Sequence, residues 1–378
     1  MSTKDERRHE PEEAPLLPDE LAQLEDIPAE EPPREIAERL EERRVPLALA
    51  DGELNLAKLE RAIEGHKDQR ELVLPGGAFL GRPGLSAGRL KRAEQALDAT
   101  TETAPERPEW APLAFQPRDA SPFGARRALR SLDGRRVEPY YGVYGPDDRR
   151  VYNPTPYPWR CVGRIFTWTN WGHGGWTWWG AGVLVGPRHV LTAGHVCPWG
   201  SSSWAMRFVP SYWNGAPLCG PGAQSWTSDF RGWDTHDQVA AHDIAVLRLY
   251  DPIGSWLGWM GTKVYDSSWE GGSYWTLAGY PGAIAGGERP SYQSGIPVLD
   301  DDNDGDAKEI EHHGDATPGD SGGPFFGFWS GGPYAIGTTS GGERISGTPF
   351  GWWDEDNNIE AGGRAMVDLV RWAQSAWP

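Results

Sequence analysis

Gly319-Asp320-Ser321-Gly322-Gly323-Pro324 is the stretch on which the reading of this chain turns. A serine hydroxyl that acts as a nucleophile needs small neighbours. They let the backbone turn sharply and let a carbonyl group come close. Backbone N–H groups on the N-terminal side of the serine then point at a developing oxyanion. Gly319 and Ser321 are the donors this places. Gly, Ser and Pro strings also make ordinary turns, so the meaning of the hexapeptide depends on a base and an orienting carboxylate upstream.

Both are present. Leu191-Thr192-Ala193-Gly194-His195-Val196 is an apolar strand ending in small residues and then an imidazole. His242-Asp243-Ile244-Ala245-Val246-Leu247-Arg248-Leu249 sets an aspartate at the head of a hydrophobic strand, where its carboxylate can be buried and aimed. A serine hydroxyl is a poor nucleophile until an imidazole takes its proton. The imidazole must be held in one tautomer by a carboxylate on its other nitrogen. His195 as base, Asp243 as orienter and Ser321 as nucleophile therefore form a candidate catalytic set. Taken singly, His195 reads equally as a satisfied strand-end histidine and Asp243 as a turn or cap carboxylate. The three segments in this order give the pattern its force.

The rest of the chain bounds the possibilities. Its 378 residues suggest two units. A net charge of -18 sets nucleic acid and anionic membrane surfaces aside as partners. There is no apolar run of about 18 residues to cross a membrane. The charged N-terminus, Met1 to Arg8, is not followed by an apolar core and does not read as a secretory signal. Cys161, Cys197 and Cys219 allow one disulfide with one thiol left over.

Residues 1–142 form an N-terminal extension, and residues 143–378 a second unit. The first 140 residues hold one tryptophan of 21 and 22 of the 36 basic residues. Residues 1–32 read as disordered, acidic and poor in apolar side chains. Short helical patterns follow at Pro33 to Arg44, Glu53 to Glu64 and Leu85 to Leu97, where apolar residues recur at helical spacing. The segment 120–142 is linker-like and carries Arg126-Arg127 and Arg135-Arg136, exposed basic pairs open to nicking. From residue 143 short apolar runs alternate with turn residues. Strands are expected at Val162 to Thr169, Trp178 to Val185, His189 to Thr192, Ala205 to Pro210, Ile244 to Leu249, Trp275 to Ala278, Tyr292 to Val298, Pro324 to Trp329 and Tyr334 to Ser340. An amphipathic helix closes the chain from Arg364 to Trp377. This is an all-β unit, sized for two packed barrels or one large sandwich.

Thr192-Ala193-Gly194-His195, Asp243-Ile244-Ala245-Val246-Leu247 and Gly319-Asp320-Ser321-Gly322-Gly323-Pro324 resemble the three signatures of chymotrypsin-like (trypsin-like) serine peptidases. The nearer likeness is to the bacterial glutamyl endopeptidase group. Val143-Tyr144-Gly145-Pro146-Asp147-Asp148-Arg149 with Tyr157-Pro158-Trp159-Arg160 is similar to the start of their mature chains, and Ala278-Gly279-Tyr280-Pro281-Gly282 is also like them. The resemblance covers residues 143–378. It implies two antiparallel six-stranded β-barrels, a serine endopeptidase activity with no required cofactor, protein or peptide substrates, a cleavable pro-region, and export, although no signal is visible. Two other functional readings stay open: a catalytically silent binding module on the same fold, and an esterase with the same acyl chemistry.

Further expectations come from the resemblance. Asp315, six residues before Ser321, would lie at the base of the primary pocket, and Thr339, Ser340, Gly341 and Gly342 would form its wall. An aspartate there goes with Lys or Arg preference in trypsin-like enzymes but not in all relatives. The histidine of glutamate-specific relatives is absent, with Thr339 in its place. Asp320 would be a buried carboxylate in need of a partner. In the trypsin type that partner is a freed N-terminal amine; here Val143, Val162 or an arginine could serve. The cysteine usual directly after the histidine is displaced by Val196 to Cys197.

Two motifs lie outside this scheme. Asp300, Asp302, Asp304, Asp306 and Glu311 sit in a stretch with calcium-loop spacing, although the flanks read as strands and an acidic hairpin fits as well. His312 and His313 are neighbours on one of those flanks and should point to opposite faces. Trp168, Trp171, Trp176, Trp178 and Trp179 could present indole faces to a sugar, or serve core and hairpin packing.

Overall fold

The computed structural model describes residues 13–42, 101–120, 141–170, 175–201, 203–233, 241–345 and 355–377, and the backbone of 45–46 and 72–73. The expected helices at 53–64 and 85–97, Trp171 and most of the dibasic linker lie outside the described residues.

Six strands close into a barrel: β1 (Val162–Trp168), β2 (Trp178–Gly186), β3 (His189–Thr192), β4 (Ala205–Pro210), β5 (Ser225–Gly232) and β6 (Ala245–Leu249). The ring runs β5-β6-β3-β2-β1-β4 and shuts through β4 against β5, all antiparallel. Closure removes the edges that a six-stranded sheet would otherwise expose. Val183, Leu184, Val190, Leu191, Val246 and Leu247 are fully buried. The register Ala245↔Thr192 decides the site, because it brings the residues just before β6 beside those just after β3.

The second unit is a larger sheet: β7 (Gly261–Lys263), β8 (Trp275–Gly279), β9 (Ser291–Ile296), β10 (Val298–Asp304), β11 (Ala307–His312), β12 (Pro324–Trp329), β13 (Gly332–Ile345) and β14 (Glu355–Gly363). The main path is β10-β11-β14-β13-β12-β8-β9, ending on Arg150–Val151. β7 pairs with β13, and Glu102–Thr103 pairs with β7. The architecture is all-β, as expected, but this unit is a ten-stranded sheet in its hydrogen bonding. The β10–β11 hairpin and the two short added strands extend it beyond six. Trp275, Ile310, Phe325 and Ile336 centre its core.

The C-terminal helix, Arg364–Ala376, buries Met366, Val367, Leu369, Val370 and Ala373, as its apolar spacing predicts. Residues 13–32, expected to be disordered, run along the second sheet. Leu16 N–H donates to the Phe328 carbonyl at 2.7 Å, and Ile27 pairs with Leu113. Leu21 is buried, so the few apolar residues of this acidic stretch find a surface made elsewhere in the chain. The helix Arg34–Glu41 follows the predicted pattern, with Ile36 and Leu40 turned to the core.

The described tryptophans Trp168, Trp176 and Trp179 of this stretch make packing contacts with neighbouring rings. Trp168 lies against Trp226 with ring centroids 5.3 Å apart. Trp176 and Trp179 join Phe166 and Tyr212 around the buried Arg164 guanidinium, 4.7 to 5.7 Å from the ring centroids. Such stacking suits the weakly hydrated guanidinium. No disulfide joins Cys161, Cys197 and Cys219 here; burial pushes the Cys161 thiol pKa up. The acidic stretch is a β-hairpin, with Asp302 opposite Glu309 and the turn at Gly305. Asp301 pairs with Lys308, and Asp304 and Asp306 flank the His242 ring at 3.1 and 3.2 Å. Among the described residues no group of three or more His, Cys, Asp or Glu side chains is arranged to hold a metal ion.

Candidate active site

His195 stands in a 3₁₀ turn, Gly194–Val196, three residues past the end of β3, and Asp243 lies two residues before β6. The strand register brings them together. Asp243 Oδ2 is 2.6 Å from His195 Nδ1, and Oδ1 accepts the His195 backbone N–H at 2.8 Å. The Ser340 hydroxyl, from β13, donates to Asp243 Oδ2 at 2.6 Å. Asp243 is fully buried. Burial alone would raise its carboxyl pKa, but the facing imidazole and these hydrogen bonds hold it below the ordinary carboxylate value. A buried carboxylate with donors on both oxygens is a fixed, charged acceptor for one imidazole nitrogen.

Ser321 sits in the turn before β12. Its carbonyl accepts the Ala181 N–H of β2 at 2.7 Å, so a barrel strand holds the turn from the other unit. Gly319 has φ +106, and a Cβ there would meet the Tyr280 carbonyl oxygen and Trp179 Nε1. Gly322 has φ +81 and faces Thr192 Oγ1 and the Ala181 carbonyl. Only glycine fits either position without strain.

The Ser321 hydroxyl is hydrogen-bonded to the Tyr141 hydroxyl, which also donates to the Ser340 carbonyl at 3.1 Å. Tyr141 begins a strap, residues 141–144, laid along the turn. Asn358 grips it at Gly142: Oδ1 accepts the Gly142 N–H at 2.8 Å, and Nδ2 donates to the Gly142 carbonyl at 2.8 Å. Ala316 N–H donates to the same carbonyl at 3.1 Å. The Tyr144 ring stacks on His313 at 4.2 Å.

The expected pocket residues are placed as follows. Asp315 is fully buried, and its oxygens accept the backbone N–H groups of Tyr144 at 2.8 Å and Asp148 at 2.9 Å. Its carboxylate therefore faces the chain's own amides. Thr339 donates to the Gly323 carbonyl at 3.2 Å, within the sheet. Ser340 reaches Asp243 through its side chain and Tyr141 through its carbonyl. Gly341 and Gly342 follow on β13 and are buried.

Of the three partners considered for Asp320, the structure supplies an arginine. Arg149 Nη1 lies 2.8 Å from Asp320 Oδ2, and both side chains are about 2 % exposed. Burial raises the Asp320 carboxyl pKa to about 6, against the lowering pull of Arg149 and the Thr317 N–H.

Behind the turn lies a second buried pair. His312 Nε2 is 3.1 Å from Glu360 Oε1, and His312 Nδ1 accepts the Gly314 N–H at 2.9 Å. That acceptor role places the ring proton on Nε2. Burial, with His313 nearby, pushes the imidazole pKa down to about 3, and burial pushes Glu360 well up. His312 is therefore expected to remain neutral, in the Nε2–H form, from pH 5 to 8. Long-range ¹H–¹⁵N NMR correlations read this directly; a ring that protonates near pH 6.5 would contradict the assignment.

A family model described as Trypsin matches residues 150–350, more than half of the chain. The chain belongs to the trypsin family. Similar solved structures include a Glu endopeptidase in complex with MPD, at 19% identity and TM-score 0.44, covering 62% of this chain and 99% of that one. The protease Anisep from Arthrobacter nicotinovorans shows 22% identity and TM-score 0.44, covering 60% and 99%. The thermostable serine protease AL20 shows 19% identity and TM-score 0.39, covering 57% and 96%. No curated protein matches the chain. Among the described residues of this trypsin-family chain, no helix is long and apolar enough to cross a membrane.

Sequence reasoning missed Tyr141, Arg149, Asn358 and the Asp243–Ser340 bond in this trypsin-family site. Asp147-Asp148-Arg149 was the one visible signal: a basic residue after two acids and before a strand, able to supply Asp320 with its counter-charge.

Proposed function

We propose that this trypsin-family chain is a serine endopeptidase in which Ser321 is the nucleophile, His195 the general base and Asp243 the group that orients the base. The carrying observation is the fully buried Asp243 carboxylate, which takes both the His195 backbone N–H and Nδ1 while Ser340 fixes its second side. With the Nδ1 proton committed to Asp243, Nε2 is the nitrogen that accepts the Ser321 proton. Ser321 Oγ then adds to the peptide carbonyl carbon. The oxyanion forms opposite the Gly319 and Ser321 N–H groups. Collapse expels the amine, which takes the proton from His195, and leaves an acyl-serine ester. Water repeats the sequence on the ester and releases the acid. No step calls for a cofactor.

In this reading the strap keeps the whole chain latent. Tyr141 occupies the Ser321 hydroxyl and the Ser340 carbonyl, where an extended substrate would pair with β13. Selection of Lys or Arg through Asp315 requires Tyr144 to leave, because its N–H holds one carboxylate oxygen.

A fluorophosphonate probe tests the assignment. After limited proteolysis of the dibasic 120–142 segment, the probe is expected to label wild type at Ser321, and Ser321→Ala is expected to lose all labelling. A nicked wild-type protein that stays unlabelled, with its native circular dichroism intact, would overturn the proposal. Hydrolysis of peptides rather than small esters alone separates an endopeptidase from an esterase.

A further inference from the structure

The turn that carries Gly319 and Ser321 is bracketed at both ends by one short segment, 147–149. At one end, Asp148 N–H donates to Asp315 Oδ2 at 2.9 Å. At the other, Arg149 Nη1 donates to Asp320 Oδ2 at 2.8 Å and to Thr317 Oγ1 at 2.9 Å. The same Asp320 oxygen takes the Thr317 N–H at 3.0 Å. Asp320 N–H donates back to the Thr317 carbonyl at 3.0 Å, and Gly323 N–H to the Asp320 carbonyl at 2.7 Å. Arg149 thus closes a loop whose geometry fixes where the Gly319 and Ser321 amides point.

The arginine is itself held rigidly. Its Nε and Nη2 form a fork on Asp147, at 3.0 and 2.8 Å. Two parallel bonds define the plane of the guanidinium as well as its position. The next residues, Arg150–Val151, pair with β9 through Tyr292 and Ser291. A sheet rung therefore delivers Arg149 to Asp320. Every contact in this lock comes from inside a continuous chain.

We infer that Arg149 is a positioning residue: its ion pair with Asp320 sets the Gly319–Ser321 turn in its working geometry while the chain is still whole. Among the described residues latency then rests on the Tyr141 strap, and no new chain end is needed to build the oxyanion site. The inference rests on the assignment of Ser321 as nucleophile. Asp320 acts only when ionised, because only the carboxylate holds the guanidinium and the Thr317 N–H together. The groups facing it are Arg149 and Asp147 on the delivering segment, Thr317 on its own loop, Glu360 on β14 and Tyr141 on the strap, while Asp315 acts on Arg149. Among them Arg149 carries the positive charge that opposes protonation of Asp320. Below about pH 6 the carboxyl takes a proton and the lock weakens. Losing Arg149 lets the carboxyl rise further, so the acid limb of the rate profile moves to higher pH.

The test uses the full-length chain carrying Tyr141→Ala, kept uncut and checked by intact mass. This parent is expected to be labelled by the fluorophosphonate at Ser321 without proteolysis. Adding Arg149→Met is expected to slow labelling by about 10²–10³ and to shift the acid midpoint up by more than about 1 pH unit. Arg149→Lys, which keeps the charge and loses the fork, is expected to recover part of the rate and most of the shift. If Arg149→Met does not fold, Arg149→Lys and the neutral pair Arg149→Met/Asp320→Asn carry the comparison. The neutral pair is expected to fold, to label slowly and to lose the Asp320 contribution to the acid limb. A folded Arg149→Met or neutral-pair chain labelled at the parent rate with an unchanged acid limb would overturn the inference. So would an uncut parent that is inert but becomes labelled once cut, because a new chain end would then be required. A parent inert both uncut and cut instead defeats the nucleophile assignment, and the inference with it.

Discussion

Asparagine at position 243 is expected to lower peptide turnover by about 10⁴ while leaving the fold intact. The reason lies in which atoms face which. Asp243 accepts on both oxygens, from His195 N–H, from His195 Nδ1 and from the Ser340 hydroxyl. An asparagine of the same shape keeps one acceptor, which the His195 backbone N–H claims. Its amide group then points one hydrogen at Nδ1 and the other at the Ser340 hydroxyl, and the imidazole must turn Nδ1 into an acceptor. The ring proton moves to Nε2, and a protonated Nε2 cannot take the Ser321 proton. The loss should fall on kcat, because the interaction matters only when charge develops on the imidazole. Steady-state rates on a peptide substrate with nicked protein measure it, and circular dichroism checks the fold. Turnover within tenfold of wild type would remove Asp243 from its proposed role.

The second large effect is expected without any cut. In the full-length chain, Tyr141→Ala should speed fluorophosphonate labelling of Ser321 by about 10² relative to wild type. Two hydrogen bonds and the burial of one phenol hold the strap at this point. Bonds of this kind contribute about 0.5–1.5 kcal/mol each, and with the lost burial of the ring the closed state gives way by that factor. Alkaline pH is not expected to mimic the substitution. Burial pushes the Tyr141 phenol pKa well up, so it keeps its proton and its hydrogen bonds far above neutrality. Equal labelling of wild type and variant would show that the strap does not guard the serine.

The contrast between these two residues shows what the sequence exposes. His195, Asp243 and Ser321 are legible because each needs a recognisable local setting: small residues beside the imidazole, an apolar strand behind the carboxylate, glycines around the serine. Tyr141 and Asn358 have no such setting. Tyr141 meets a residue 180 positions away and Asn358 grips one 216 positions away, and nothing near either in the chain marks the pairing. The fold shows the same division. β3 and β6 are apolar runs and are plain to read. β14, Glu355–Gly363, is polar and glycine-rich, with Asn358 and Glu360 fully buried. Asn358 and Glu360 are buried polar residues that hydrogen-bond to Gly142, Gly314 and His312, and they sit beside the buried Ile359 and Ala361, so polar and apolar alternation gives no signal of which face is inward. β5, Ser-Trp-Thr-Ser-Asp-Phe-Arg-Gly, hides for the same reason. In the N-terminal segment, composition pointed to disorder because the apolar surface that Leu21 needs belongs to a sheet formed more than a hundred residues later.

The bond from Ala181 to the Ser321 carbonyl joins the two halves of the molecule at the proposed nucleophile. Ser340 repeats the arrangement from the other side, since a hydroxyl of the second sheet holds a carboxylate of the barrel. In the proposed mechanism, relative sliding of the halves is therefore felt first as misalignment of nucleophile and base. On that proposed reading the chemistry doubles as a gauge of assembly: a protein whose halves have formed but not docked is expected to be inert.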